Sequence, residues 1–110
     1  MIYHVQASLR EEIAAALLEK LTDGSVARQQ PDGPELVASM ERAVVNAEGR
    51  VEWSEKCFCP SPLYHERATV LDQHFGDIIT EPIEAHASYA GQPLMKYLRA
   101  IATRTSTGLV

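Results

Sequence analysis

The chain has little of what usually announces a function. No apolar run approaches the roughly 18 residues of a membrane-spanning helix, so no membrane span is expected. There is no G-x-G-x-x-G, no Walker A pattern and no G-x-S-x-G, which argues against nucleotide-dependent and α/β-hydrolase chemistry; no cofactor is expected. Basic residues are few, 10 Lys and Arg against 15 Asp and Glu, and they form no stripe. The net charge of -5 argues against nucleic acid or an anionic membrane surface as partner. The two cysteines, Cys57 and Cys59, are too close along an extended strand for an unstrained disulfide. Reduced thiols and a cytoplasmic location follow as expectations. Met1-Ile2-Tyr3-His4-Val5 also lacks the charged and apolar regions of a secretory signal.

What is present reads as an ordinary globular chain. With 110 residues, 45% hydrophobic and 23% charged, residues 1–110 are expected to form one domain with its own core. Residues 2–8 alternate as a strand, with Tyr3, Val5 and Ala7 on one side and Ile2, His4 and Gln6 on the other. Ser8-Leu9-Arg10-Glu11 has the form of a capping box, followed by a helical face of Ile13, Ala14, Leu17, Leu18 and Leu21 that Gly24 closes. Asp32-Gly33-Pro34-Glu35 opens a second, short helix. Residues 41–46 fit either helix or strand, and a switch to strand through Ala43-Val44-Val45 is preferred. Asn46-Ala47-Glu48-Gly49 then fits a turn into a strand from Arg50 to Phe58. Pro60-Ser61-Pro62 breaks that strand, and Ser61 with Pro62 starts a helix faced by Tyr64, Ala68, Leu71 and Phe75. Residues 77–84 form a last strand, with Pro82 at an edge or bulge. A C-terminal helix over 91–103 carries Leu94, Leu98 and Ile101, and a frayed tail follows over 104–110.

The resulting order predicts an α+β fold. Its core, residues 2–84, is a ferredoxin-like βαββαβ unit with a four-stranded antiparallel sheet and helices on one face, plus the extra short helix and the C-terminal helix. The first and third strands take the centre of the sheet. This shape is similar to the dimeric α+β barrel proteins, in which two facing sheets enclose a cavity. The resemblance is architectural and implies a homodimer, a small-molecule ligand and cofactor-independent chemistry of the kind found among small isomerases.

The antiparallel arrangement brings Glu55 and Glu81 near Tyr3 or His4. Glu55 lies between Trp53 and Cys57 on the apolar face of its strand, where burial would raise its pKa as in general acids and bases. The plainer and preferred reading makes it an ion-pair partner of a base such as Arg67, or places it at a wet strand end. Glu55, Glu81 and His4 are the candidate catalytic residues, with Tyr3, Gln6 and Trp53 the candidate ligand contacts. A second polar set, His4, Gln6, Ser54, Lys56 and Thr80, would share the uncovered sheet face, as cavity lining or as plain solvated surface. Cys57, Cys59, His65 and His74 have zinc-ligand chemistry but no zinc spacing. His65 and His74 are nine residues apart on one helix, about 13–14 Å along its axis, too far to share an ion. A Cys59 nucleophile with His65 as base is also conceivable, without a local signature to support it. Against all these stands a non-catalytic binding or assembly module.

Overall fold

A computed structural model describes residues 1–30, 32–57, 61 and 63–108, with backbone alone for residues 65 and 105–108. Strand β1 (Ile2–Leu9) buries Tyr3, Val5 and Ala7 and turns Ile2, His4 and Gln6 the other way. Ser8 stays in the strand opposite Gly76, and its hydroxyl accepts from Arg50 Nη1 at 3.1 Å. The expected capping box therefore does not form, and a 3-10 turn over Glu11–Ile13 leads into α1 (Ala14–Thr22). Helix α2 (Gly33–Arg42) starts at the expected Asp32 and Pro34. The chain then switches to β2 (Val44–Val45), turns at Asn46 and returns as β3 (Val51–Lys56). Asn46 Oδ1 accepts from the N–H groups of Glu48 and Arg50, which fixes that turn.

Beyond β3, α3 (Tyr64–Glu66), a π turn (Arg67–Leu71) and α4 (Asp72–His74) run on as one helical stretch. The described stretch turns Leu63, Glu66, Val70, Leu71 and His74 inward. Tyr64 is 60% exposed and Ala68 is exposed, so of the expected Tyr64-Ala68-Leu71-Phe75 face only Leu71 and Phe75 are buried. Phe75 instead opens β4 (Phe75–Ile83), where it packs on Trp53 at 5.4 Å between ring centroids. Phe58, Cys59, Pro60 and Pro62, on which the strand end, the helix start and the cysteine readings partly rested, lie outside the described residues.

The sheet has five antiparallel strands in the order β4-β1-β3-β2-β5, where four were expected. β1 and β3 sit inside it, as expected for the first and third strands. The fifth strand, β5 (Gln92–Pro93), covers the outer edge of β2 and hands Leu94 to α5 (Leu94–Gly108), whose first N–H bonds to Ala43 O at 2.8 Å. The reason is local: an edge of two residues leaves backbone groups that need partners. Helix α5 runs through the expected frayed tail to Gly108, and buries Leu94, Leu98 and Ile101 against α1 and α2. The buried apolar residues form one cluster on the helix-covered face of the sheet. Among the described residues, no helix is long and apolar enough to cross a membrane.

Two features finish the sheet. On β4 two residues, Asp77 and Ile78, oppose the single Ala7 between the Gln6–Ile79 and Ser8–Gly76 pairs, which makes a bulge with Asp77 at φ 49°. Arg50 braces it through Nη2 to Asp77 O at 2.8 Å. The upper part of β3 extends past two-residue β2, and α2 completes its edge: Arg42 Nη2 donates to Ser54 O at 2.9 Å and Lys56 N–H to Glu35 Oε1 at 3.1 Å.

Gly33 marks the tightest approach. A Cβ there would stand 2.2 Å from Val26 O. Gly33→Ala must push α2 away from the preceding loop, and overpacking of this kind costs about 1–3 kcal/mol. The expected result is a lower urea midpoint with an unchanged m-value; an unaltered midpoint would show that the loop yields freely.

Candidate functional site

Strand alternation places Val51, Trp53 and Glu55 on the covered face of β3. Glu55 is 0% exposed. Its Oε1 accepts from Trp53 Nε1–H at 2.8 Å, and its Oε2 has no hydrogen-bond partner among the described residues. Among the described residues no ion pair joins Glu55 to a cation; Arg67, the base considered from sequence, pairs with Asp72 at 3.0 Å instead. What stands beside Glu55 is a second carboxyl. The helical stretch carries Glu66 inward, also 0% exposed, and Cys57 Sγ–H reaches Glu66 Oε2 at 3.8 Å. The turn that follows Glu66 is π-helical, a distortion that recurs at functional sites. At the start of the whole helical stretch, before Tyr64, Leu63 is buried with φ 57°, a left-handed conformation that is strained for a non-glycine residue.

Burial is the main force on both acids. It pushes Glu55 well above the ordinary carboxylate range; the Trp53 hydrogen bond opposes it and the Glu66 charge adds to it. Glu66 is raised as well, first by burial and then by the charge of Asp32, with the Cys57 hydrogen bond opposing. Glu55 is thus the proton holder and Glu66 the more readily ionised member. Glu66 also faces a narrow cleft lined by Gln29, Gln30, Asp32, Gly33, Leu36 and Thr69, which leaves about 10 Å³ for the centre of a water molecule, room for about one.

The other predicted residues lie across the sheet. Register pairs Tyr3 with Glu55 and His4 with Glu81, the two proximities expected. Opposed residues share a face, so Tyr3, Trp53 and Glu55 stand on the covered side and His4, Gln6 and Glu81 on the other. The three candidate catalytic residues therefore do not converge. Thr80 pairs with Val5 and belongs to the covered side, not to the second polar set.

That second set is itself covered by the segment 84–91, which crosses the sheet from β4 to β5. Tyr89 stacks on His4 with ring centroids 4.4 Å apart and planes at 14°. Ser54 Oγ meets His86 Nδ1 at 2.8 Å and accepts from Ala87 N–H at 3.3 Å. Beneath the strap, His4 Nε2 lies 2.8 Å from Glu52 Oε2, and Asn46 Nδ2 donates to Glu52 Oε1 at 2.8 Å. Burial alone would raise Glu52, but hydrogen bonds from Asn46, His4 and Gln6 outweigh it and hold the carboxyl low. Burial and the charges of Glu52 and Glu81 raise the Tyr89 phenol.

The zinc set does not assemble among the described residues, where no group of three or more His, Cys, Asp or Glu is placed to hold a metal ion. His74 is buried on Lys20 Nζ, 3.2 Å from Nε2, and burial followed by the Lys20 charge lowers its pKa. It lies about 12 Å along the helix from Glu66 at 1.5 Å per residue.

Glu66 is the residue that sequence reasoning missed. Its signal was present: Leu63, Glu66, Val70 and His74 repeat at helical spacing, with a carboxylate inside the stripe. No protein-family model, no curated protein and no solved structure matches the chain. The chemistry of the site must therefore be argued from its own residues.

The raised acids set the sign of a pH effect. Unfolded, both carboxyls ionise near 4.5; folded, they keep their protons to higher pH. Their contribution is full below 4.5 and is lost as pH rises through the folded pKa values, by up to about 1.4 kcal/mol per pH unit for each group. Urea unfolding of the wild type should therefore weaken upward from pH 4.5, and Glu55→Gln should flatten that decline and exceed wild-type stability at its alkaline end. Parallel curves for the two proteins would contradict the assignment.

The strap contacts are testable separately. An aromatic stack is worth about 0.5–1.5 kcal/mol. Tyr89→Ala should speed amide hydrogen exchange over residues 84–91 while leaving the core strands protected; unchanged exchange would show that the strap is held elsewhere.

Proposed function

We propose that this protein performs cofactor-independent proton transfer on a small organic molecule, with the Glu55–Glu66 pair as acid and base. The observation that carries the reading is a fully buried Glu55 whose Oε1 takes the Trp53 N–H, with no cation among its described partners and a second buried carboxyl, Glu66, in hydrogen-bonding reach beside it. As scaffolding this arrangement is unfavourable, since an apolar residue of the same volume would be neutral or stabilising there. As chemistry it separates two otherwise identical groups into a protonated acid and an available base. Glu66 would accept a proton from an activated C–H while Glu55 gives one to the adjacent carbonyl oxygen, yielding the enol with the proton count balanced. Entry of a molecule larger than water takes an outward movement of the cleft wall at Gln29, Gln30 and Thr69.

The scaffold for this reading is a ferredoxin-like core. Four strands in the order β4-β1-β3-β2, joined through helices that cover one face, support it, with β5 and α5 as additions. The facing-sheet homodimer has weaker support. Residues 84–91 lie over His4 and Ser54, where a partner sheet would have to pack.

Wild-type protein incubated in D2O with a panel of small ketones and keto acids should introduce deuterium at the carbon next to the carbonyl, read by proton NMR. Glu55→Gln and Glu66→Gln should each lower that rate by about 10²–10⁴-fold, the usual contribution of a positioned acid or base. Exchange as fast in both variants as in the wild type, or no wild-type exchange across the panel, would sink the proposal.

A further inference from the structure

Asp32 occupies the N-cap position of α2, where an aspartate ordinarily accepts a backbone N–H from the first helical turn. Here it makes no such bond. Its Oδ2 is buried without a hydrogen-bond partner among the described residues, although the residue as a whole is only half-buried. Both features have one geometric explanation: the carboxylate belongs to the wall of the cleft that Glu66 also lines. The cleft has room for about one water molecule. Gln29, Gln30 and Thr69 supply further polar wall. Gly33 follows directly, and its missing side chain lets the loop carbonyls of Val26 and Ala27 close in behind Asp32.

We infer that Asp32 is the solvent-side relay of the carboxyl pair, exchanging protons with Glu66 through a single water held in the cleft. The inference rests on the reading of Glu55 and Glu66 as a working acid pair. In each transfer the water takes the proton leaving Glu66 and gives one of its own to Asp32 Oδ2, so the water is regenerated and one proton moves outward. Asp32 then releases that proton to bulk solvent. The reverse sequence returns a solvent proton to Glu66, so the proton taken from substrate is exchanged for one from solvent. A buried acid without such a path would exchange its proton only when the surrounding structure opens.

The test reads proton exchange rather than turnover. Protonated buried carboxyls show an infrared C=O stretch that shifts when O–H becomes O–D, and the wild-type spectrum minus that of Glu55→Gln isolates the band of the pair. After rapid mixing into D2O, Asp32→Asn should slow the shift at least about tenfold, as loss of a proton-transfer group does, while the amplitude of the band is kept. Asp32→Ser retains a side chain able to cap α2, and should slow exchange equally if the carboxylate is the relay; it also serves where Asp32→Asn folds poorly. An unchanged exchange rate in a folded Asp32→Ser protein would overturn the relay and leave the acid pair standing. A wild-type spectrum with no band that Glu55→Gln removes would overturn the acid pair itself, and the relay with it.

Discussion

The structure depends on one unfavourable placement, a fully buried carboxyl at position 55. Strand alternation forces it there. Val51 and Trp53 must face the helices to build the core, and Glu55 shares their side of β3. A single-residue slip that freed Glu55 would expose Trp53 and bury Lys56 in its stead. The neighbourhood accommodates the acid rather than relocating it. Trp53 turns its indole N–H onto one oxygen, and the adjacent helical stretch brings Glu66, not a cation, alongside. Protonation of Glu55 is then the cheapest way to keep the pair dry.

The remainder of the sheet compensates for a short hairpin. Two residues of β2 cannot satisfy the whole outer edge of β3, so the Arg42 and Glu35 side chains of α2 act as a substitute strand at Ser54 and Lys56. The chain then returns across the opposite face to add β5, and in crossing it covers His4 and Ser54. A sheet face that alternation alone leaves polar and open is in this way occupied by the protein's own backbone. That occupation, rather than any lack of polar residues, is what weighs against a second sheet docking there.

How far the sequence could be read follows from the range of each signal. Period-two alternation identified β1 and β3, and Asp32 with Pro34 located the start of α2, because those patterns are local and several residues long. Antiparallel connectivity even placed Glu55 by Tyr3 and Glu81 by His4. It did not say that these neighbouring pairs project in opposite directions, and one apparent site became two. Ser8 looked like a cap because the sequence does not show that Arg50 claims its hydroxyl. Two-residue β5 has no periodicity to detect. The π turn depends on a hydrogen-bond shift that composition does not encode, and the expected apolar stripe from Tyr64 to Phe75 did not include Glu66.

The sheet therefore separates two environments that could each handle protons, and physical chemistry ranks them. On the strap side, Glu52 is held ionised by three hydrogen-bonding neighbours, and His4 already has that carboxylate on its ring nitrogen. Groups whose lone pairs and protons are committed to one another resist giving them up, so this side is built for holding the strap. On the core side, Glu55 keeps an oxygen without a partner, and the adjoining Glu66 faces a water-sized cleft. Strain at Leu63 and the π turn lie on the same helical stretch, which locates the departures from regular structure beside the acids rather than beside His4. A protein that needed only a polar face for assembly would have no reason to place its energetic cost in the core. The cost lies where the proposed proton transfer would use it, in a buried pair of acids beside a water-sized cleft.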